Sequence, residues 1–280
     1  MYRAKKVLNH NSVIVVDSEK NKEYLVIGKG IGFGKKVSEY IETRPEDTIY
    51  SLQELTNRGD AKEIVQAVSP ICLELANEVL NQAEKVFGKI DKSILFPMAD
   101  HIEYAVKRIK NNEQISNPLT EDIKVLFHNE YKVAQCMESM LWEQLHVKID
   151  EHEIGYIALH IHSAIEDEKV SQAMQMARAV RECISLVEEK TQKKIDVMSL
   201  SYNRLMNHVR YMVARAISGE KLKLSMNDYM KVKFPEAFKT AAIVCEEVGR
   251  SLKCKLDDVE IGYLAMHIER VTSDEISQKE

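Results

Sequence analysis

Glu153-Ile154-Gly155-Tyr156-Ile157-Ala158-Leu159-His160-Ile161 returns later in the chain as Glu260-Ile261-Gly262-Tyr263-Leu264-Ala265-Met266-His267-Ile268. A second block behaves the same way. Asp100-His101-Ile102-Glu103-Tyr104-Ala105-Val106 returns as Asn207-His208-Val209-Arg210-Tyr211-Met212-Val213. Both run at one offset, because 208 − 101 and 267 − 160 each give 107. Two separate blocks with one period mean a duplicated domain. Phe127/Phe234 and Tyr131/Phe238 share the offset and are expected to be core anchors of the two copies.

Outward from these blocks the pattern is helical. Leu73, Leu75, Val79 and Leu80 keep helical spacing in a stretch without glycine until Gly88, and residues 231–252 and 258–271 read as helices. Asp150-Glu151 and Asp257-Asp258 stand where carboxylates suit a helix N-terminus. Pro97 and Pro235 mark helix starts or breaks.

The first fifty residues differ. Lys6–Asn9, Ser12–Val16 and Glu23–Ile27 are short β-branched runs separated by turn residues, with a further strand expected at Thr48–Leu52. The fold class expected is α+β multidomain: a small antiparallel β-sheet head, then two homologous all-α helical bundles. Boundaries are expected at 1–56 for the head, 57–63 for a linker, 64–169 for the first bundle and 170–280 for the second. A sheet of this size buries little apolar surface, so the head is expected to dimerise.

Charge separates head from body. Residues 1–36 hold eight Lys/Arg against Asp17, Glu19 and Glu23, or +5. The whole chain carries −5, so residues 37–280 carry −10. A basic head on an acidic body fits a polyanion partner for the head, or simply a solvated face. The five cysteines contain no CxxC pair, which fits reduced thiols and a cytoplasmic setting. No apolar run approaches the roughly 20 residues that span a bilayer, and no apolar signal core opens the chain, so membrane insertion is not expected.

Gly28-Lys29-Gly30-Ile31-Gly32-Phe33-Gly34-Lys35-Lys36 packs four of the chain's ten glycines into seven positions. It lacks the GxxxxGK[ST] spacing of a mononucleotide loop, and Phe33 stands where a dinucleotide fingerprint needs its third glycine. RNA is a better match. Glycines permit close backbone approach, lysines meet phosphate, Phe33 offers a stacking face, and Asn9 and Asn11 can read base edges. The alternative is a glycine-rich hairpin whose Phe33 fills the small core.

The histidines frame the remaining chemistry. A neutral imidazole can accept a phosphoryl group, bind metal or shuttle protons. A lone buried His is usually structural, but four in matched contexts argue for function. His160 and His162 point some 200° apart on a helix, and no HExxH is present, so metal is not expected. His162 meets Glu269 in the second copy and is expected at a rim.

Head, glycine loop and paired His blocks together resemble the BglG/SacY/LicT family of transcriptional antiterminators, over essentially the whole chain. The wording of Gly28–Lys36 and Gly155–Ala164 is closest to its glucose-type branch. The resemblance implies an RNA-binding domain followed by two regulation domains controlled by the sugar phosphotransferase system. It implies RNA contacts at Lys5, Asn11, Gly28, Lys29 and Phe33, and phosphorylation at His101, His160, His208 and His267. Lysine at 29, where many relatives carry arginine, keeps the charge and gives up the fork geometry. The implied partners are a leader-mRNA hairpin, HPr, a sugar-specific enzyme II and a second copy of the chain. Neither catalytic residues nor a cofactor are implied. Two rivals are a DNA-binding regulator carrying the same regulation domains, which requires a helix-turn-helix head, and a metal hydrolase using the His pairs.

Overall fold

The structure, a computed structural model, describes residues 1–53, 55–56, 59–166, 169–196 and 199–273. The chain divides into two compact units, Met1–Val170 and Ser171–Glu280.

The first unit opens with a five-stranded antiparallel sheet in the order β4-β1-β2-β3-β5. Its strands are β1 (Tyr2–Val7), β2 (Ser12–Asp17), β3 (Lys22–Ile27), β4 (Tyr40–Ile41) and β5 (Thr48–Ser51). β2 is central, and its Val13, Ile14 and Val15 are buried across both faces. Val13 and Val15 share one face with Ala4, Val26, Ile31 and Ile41. Ile14, Leu25 and Tyr50 are cross-strand partners on the other. There the Tyr50 hydroxyl bonds Asn77 at 2.6 Å and its ring meets Phe96 edge-on. The sheet is therefore covered on that side by helices of its own chain, which supplies apolar burial the head lacks alone.

β6 (Leu55–Thr56), at the end of the expected head, pairs with β7 (Gly59–Asp60) in the expected linker, and α1 (Ala61–Ala67) starts within that linker. Asn57 and Arg58 of that linker lie outside the described residues. The helices of the first unit continue as α2 (Pro70–Phe87), α3 (Leu95–Lys110), α4 (Thr120–Leu126), α5 (His128–Ala134), α6 (Cys136–Leu145) and α7 (Glu151–Glu166). Ser69 and Pro70 start α2, where proline's missing N–H is no loss. Asp150 accepts from the amides of His152 and Glu153 at the head of α7. Pro97 sits in the first turn of α3.

The second unit holds α8 (Val170–Thr191, Val170 closing the first unit), α9 (Leu200–Ser218), α10 (Asn227–Lys233), α11 (Pro235–Ser251) and α12 (Glu260–Ser273). α10 repeats α4 at offset 107. α11 is one continuous helix where the first unit breaks at Gln135.

Three expectations are corrected. The helix expected over 231–252 is interrupted at Phe234, whose non-helical backbone ends α10 before Pro235 opens α11. Phe127 and Tyr131 are buried anchors, but Phe234 and Phe238 are only half-buried. His162 is not at a rim. It is buried, with Nδ1 3.0 Å from Glu130 and its ring 4.4 Å from that of Phe127.

Candidate functional site

The turn between β1 and β2 and the glycine loop form one hydrogen-bonded surface. Asn11 accepts from the Gly30 amide at its side-chain oxygen and from the Gly28 amide at its carbonyl, both at 2.9 Å. The Gly32 amide donates to the His10 carbonyl at 2.9 Å. Gly30 has φ of 72°, which an L side chain rarely adopts. Gly28 is required for another reason. A Cβ there would stand 1.8 Å from Oδ1 of Asp47. Asp47 is gripped by Arg44, which also donates to the Lys29 carbonyl at 2.6 Å. Sequence reasoning missed both Arg44 and Asp47, which hold the loop from behind.

Phe33 does not fill the core. It is 70% exposed, with the His10 ring edge-on at 5.3 Å. Lys29, Lys35 and Lys36 are exposed around it. The surface thus presents an aromatic face ringed by ammonium groups, the equipment for unpaired nucleic acid. Lys5 is placed differently. The register of β1 against β2 shifts between Ala4 and Lys6, and the Lys5 ammonium pairs with Glu23, which also holds Lys62.

One contact crosses from this surface to α2. The Glu74 carboxylate accepts from Asn9 Nδ2 (2.6 Å) and Ser12 Oγ (3.2 Å) at Oε1, and from Asn11 Nδ2 (3.0 Å) at Oε2. Nothing in the local sequence marks Glu74. At offset 107 its counterpart is Arg181.

The histidines meet in pairs within each unit. The rings of His101 on α3 and His160 on α7 have centroids 5.5 Å apart. Those of His208 on α9 and His267 on α12 stack at 4.8 Å. Each pair lies beside a buried carboxylate and an arginine, again at offset 107: Glu153 with Arg108, and Glu260 with Arg215. The glutamates belong to the repeated block and the arginines to the same register, so the signal was present without an assigned role.

The copies divide the carboxylate differently. In the first, Glu153 Oε2 is 3.0 Å from His101 Nε2, off the line a hydrogen bond needs, while Arg108 holds Oε1 with Nη2 alone at 2.6 Å. Burial works to raise the Glu153 carboxyl, but His101 and Arg108 outweigh it and hold it below its ordinary value. In the second, Arg215 grips Glu260 through Nε (2.7 Å) and Nη2 (2.9 Å), and His208 Nε2 stands 3.9 Å away. Burial, then His267 and Arg215, push His208 down to about 3. His267 is also lowered, by burial and then by Arg270 and Arg204. Both rings of the second unit are therefore neutral near pH 7, with a nitrogen lone pair to offer.

The two pairs are enclosed alike: His101 and His208 have side chains 10% and 9% exposed, His160 is buried, and His267 is half-buried. Among the described residues no group of three or more His, Cys, Asp or Glu is placed to hold a metal ion, and no helix is long and apolar enough to cross a membrane.

Comparison with known proteins gives two family matches: the CAT RNA binding domain over residues 2–58, and the PRD domain over residues 74–164 and 181–271. The "GlcA/glcB genes antiterminator" of Staphylococcus carnosus is 28% identical, covering 97% of this chain and 96% of its own. "Protein GlcT" of Staphylococcus epidermidis is 30% identical over 95% of each. Among solved structures, the crystal structure of GlcT CAT-PRDI matches with a TM-score of 0.50 and 32% identity, covering 59% of this chain and 98% of that one.

Proposed function

This chain belongs to the family of antiterminators that join a CAT RNA-binding domain to two PRD domains, and on that premise we propose how it works. It is an RNA-binding antiterminator regulated through its PRD domains. In our reading Asn11, Gly28, Lys29 and Phe33 form the RNA face, with Lys5 supplying charge beside it. The head acts as a dimer in the cytoplasm and grips a hairpin in leader mRNA. That hairpin overlaps a terminator stem, so the bound form lets the polymerase read on.

His101, His160, His208 and His267 are proposed as phosphoryl acceptors, with HPr serving the second PRD and a sugar-specific enzyme II the first. The observation that carries this is the paired rings beside a carboxylate–arginine pair, built twice. A neutral imidazole attacks the donor phosphorus, and the donor's bond to phosphorus breaks. The product carries a charge of about −2 beside a buried glutamate. Like charges at that range repel by several kcal/mol at an effective dielectric near 20. Switching a population from mostly one state to mostly the other needs about 5.5 kcal/mol. One phosphate against Glu153 or Glu260, with the adjacent arginine free to change partner, is of the right size. In both domains the site must loosen before a donor reaches the enclosed ring of His101 or His208.

The test is radiolabelled phosphoenolpyruvate with enzyme I, HPr and enzyme II, followed by peptide mapping under conditions that preserve phosphohistidine. Label on peptides holding the four histidines supports the reading. Absence of label from both PRD domains overturns it.

A further inference from the structure

We propose that Glu74 is an autoinhibitory residue: its carboxylate occupies the amide donors with which Asn9 and Asn11 would hold RNA, so α2 must withdraw before the head binds fully. The inference rests on the RNA-face reading above. A phosphodiester offers two acceptor oxygens and a negative charge to a donor-lined turn. Glu74 offers the same, through Oε1 to Asn9 and Ser12 and through Oε2 to Asn11. Both asparagines have their carbonyl oxygens engaged inside the head, by the Asn11 amide and the Gly30 amide respectively. The NH2 groups are the ends left for a ligand, and both are on Glu74. The exposed stacking and charged parts of the face, Phe33 and Lys29, stay uncovered. The closed form can thus still meet RNA weakly, while a carboxylate sits where a phosphate or base edge should be.

The same helix reaches the histidine pair. Ser69, at the start of α2, donates from its amide (3.0 Å) and hydroxyl (2.6 Å) to Glu103, which lies two residues past His101 on α3. A change at His101 that moves α3 is passed to the first turn of α2, with Glu74 one turn further on; silencing by phosphorylation then requires that the phosphorylated form keep Glu74 on the asparagines. The parts of this linkage are confined to the first PRD. At offset 107, Ser69, Glu74, Asn77 and Glu103 become Met176, Arg181, Ile184 and Arg210. The second copy keeps the histidine site and drops the residues that face the head.

The experiment uses the full-length chain and one RNA hairpin enriched from a randomised-loop pool on the wild-type protein. Glu74→Ala should tighten binding about tenfold if nine-tenths of the wild type is closed. Glu74→Gln, which keeps the shape and loses one acceptor, should fall between. Asn11→Ala should weaken binding, and Glu74→Ala added to it should tighten binding by less than in the wild type, because only Asn9 and Ser12 then hold Glu74. Unchanged or weaker binding by both Glu74 variants, with ellipticity and melting temperature retained, overturns the autoinhibition. Unchanged binding by Asn11→Ala overturns the RNA-face reading instead, so the two failures are told apart.

Discussion

Arg108 reaches Glu153 through one guanidinium nitrogen, Nη2 to Oε1 at 2.6 Å, and its buried Nε has no hydrogen-bond partner among the described residues. Glu153 itself is 3% exposed at its side chain. Removing the arginine strands a buried carboxylate, which costs about 3 kcal/mol or more. Arg108→Met should destabilise the first unit by that order, and Arg108→Met/Glu153→Gln by clearly less. Trp142 is the chain's single tryptophan and lies in this unit, so urea unfolding followed by its fluorescence isolates the effect. Equal losses in the single and double variants would show that the pair is not coupled.

His208 makes the second unit sensitive to acid. Its imidazole stays neutral in the fold down to about 3, while an unfolded histidine takes up a proton below about 6.5. Stability from this group is therefore complete above about 6.5 and is lost as pH falls through the range towards 3, by up to about 1.4 kcal/mol per pH unit. Ellipticity-monitored unfolding between pH 7 and 5 should show the loss, and His208→Gln should flatten it. A slope unchanged by the substitution would remove His208 as the cause.

Glu103 has the same sense at lower pH. Burial acts to raise its carboxyl, but Ser69's two donors, Cys72 and Lys107 hold it down to about 2. Its contribution is full above about 4.5 and disappears as pH falls towards 2. Glu103→Gln should destabilise the first unit by about 1–2 kcal/mol at neutral pH, with the gap from wild type closing in acid. Tryptophan fluorescence at pH 7 and pH 3.5 measures both limbs; an acid-independent gap contradicts the assignment.

Phe33 is 70% exposed, so Phe33→Ala should leave the melting temperature unchanged. Stacking on one aromatic contributes about 1–3 kcal/mol per base, so hairpin affinity should fall about five- to 150-fold. A filter-binding titration decides it, and retained affinity would move the RNA face elsewhere.

The repeat made much of this legible. Offset 107 reveals the duplicated bundle, the histidine pairs and, once the structure assigns them a role, Arg108 and Arg215. The β-branched run Val13–Val16 between turn residues gives β2. What stayed hidden was non-local or conformational. The bulge after Ala4 has no signature in Lys5-Lys6, yet it sets Lys5 against Glu23. Apolar periodicity runs through Phe234, although the helix stops there. The counterpart Glu269 points to a rim position for His162, but Glu130 and Phe127 enclose it. Glu74 meets residues more than sixty positions away, which no spacing rule detects.

The central claim is that a phosphoryl group in the first PRD domain controls the grip of the head on RNA. Hairpin affinity of the full-length chain should be measured before and after phosphorylation by phosphoenolpyruvate, enzyme I, HPr and enzyme II, with His101→Ala/His160→Ala as the control. The account predicts a fall of about tenfold or more in the wild type, as expected for a population shift, and no fall in the control. Stoichiometric label on His101 or His160 with unchanged affinity would contradict it.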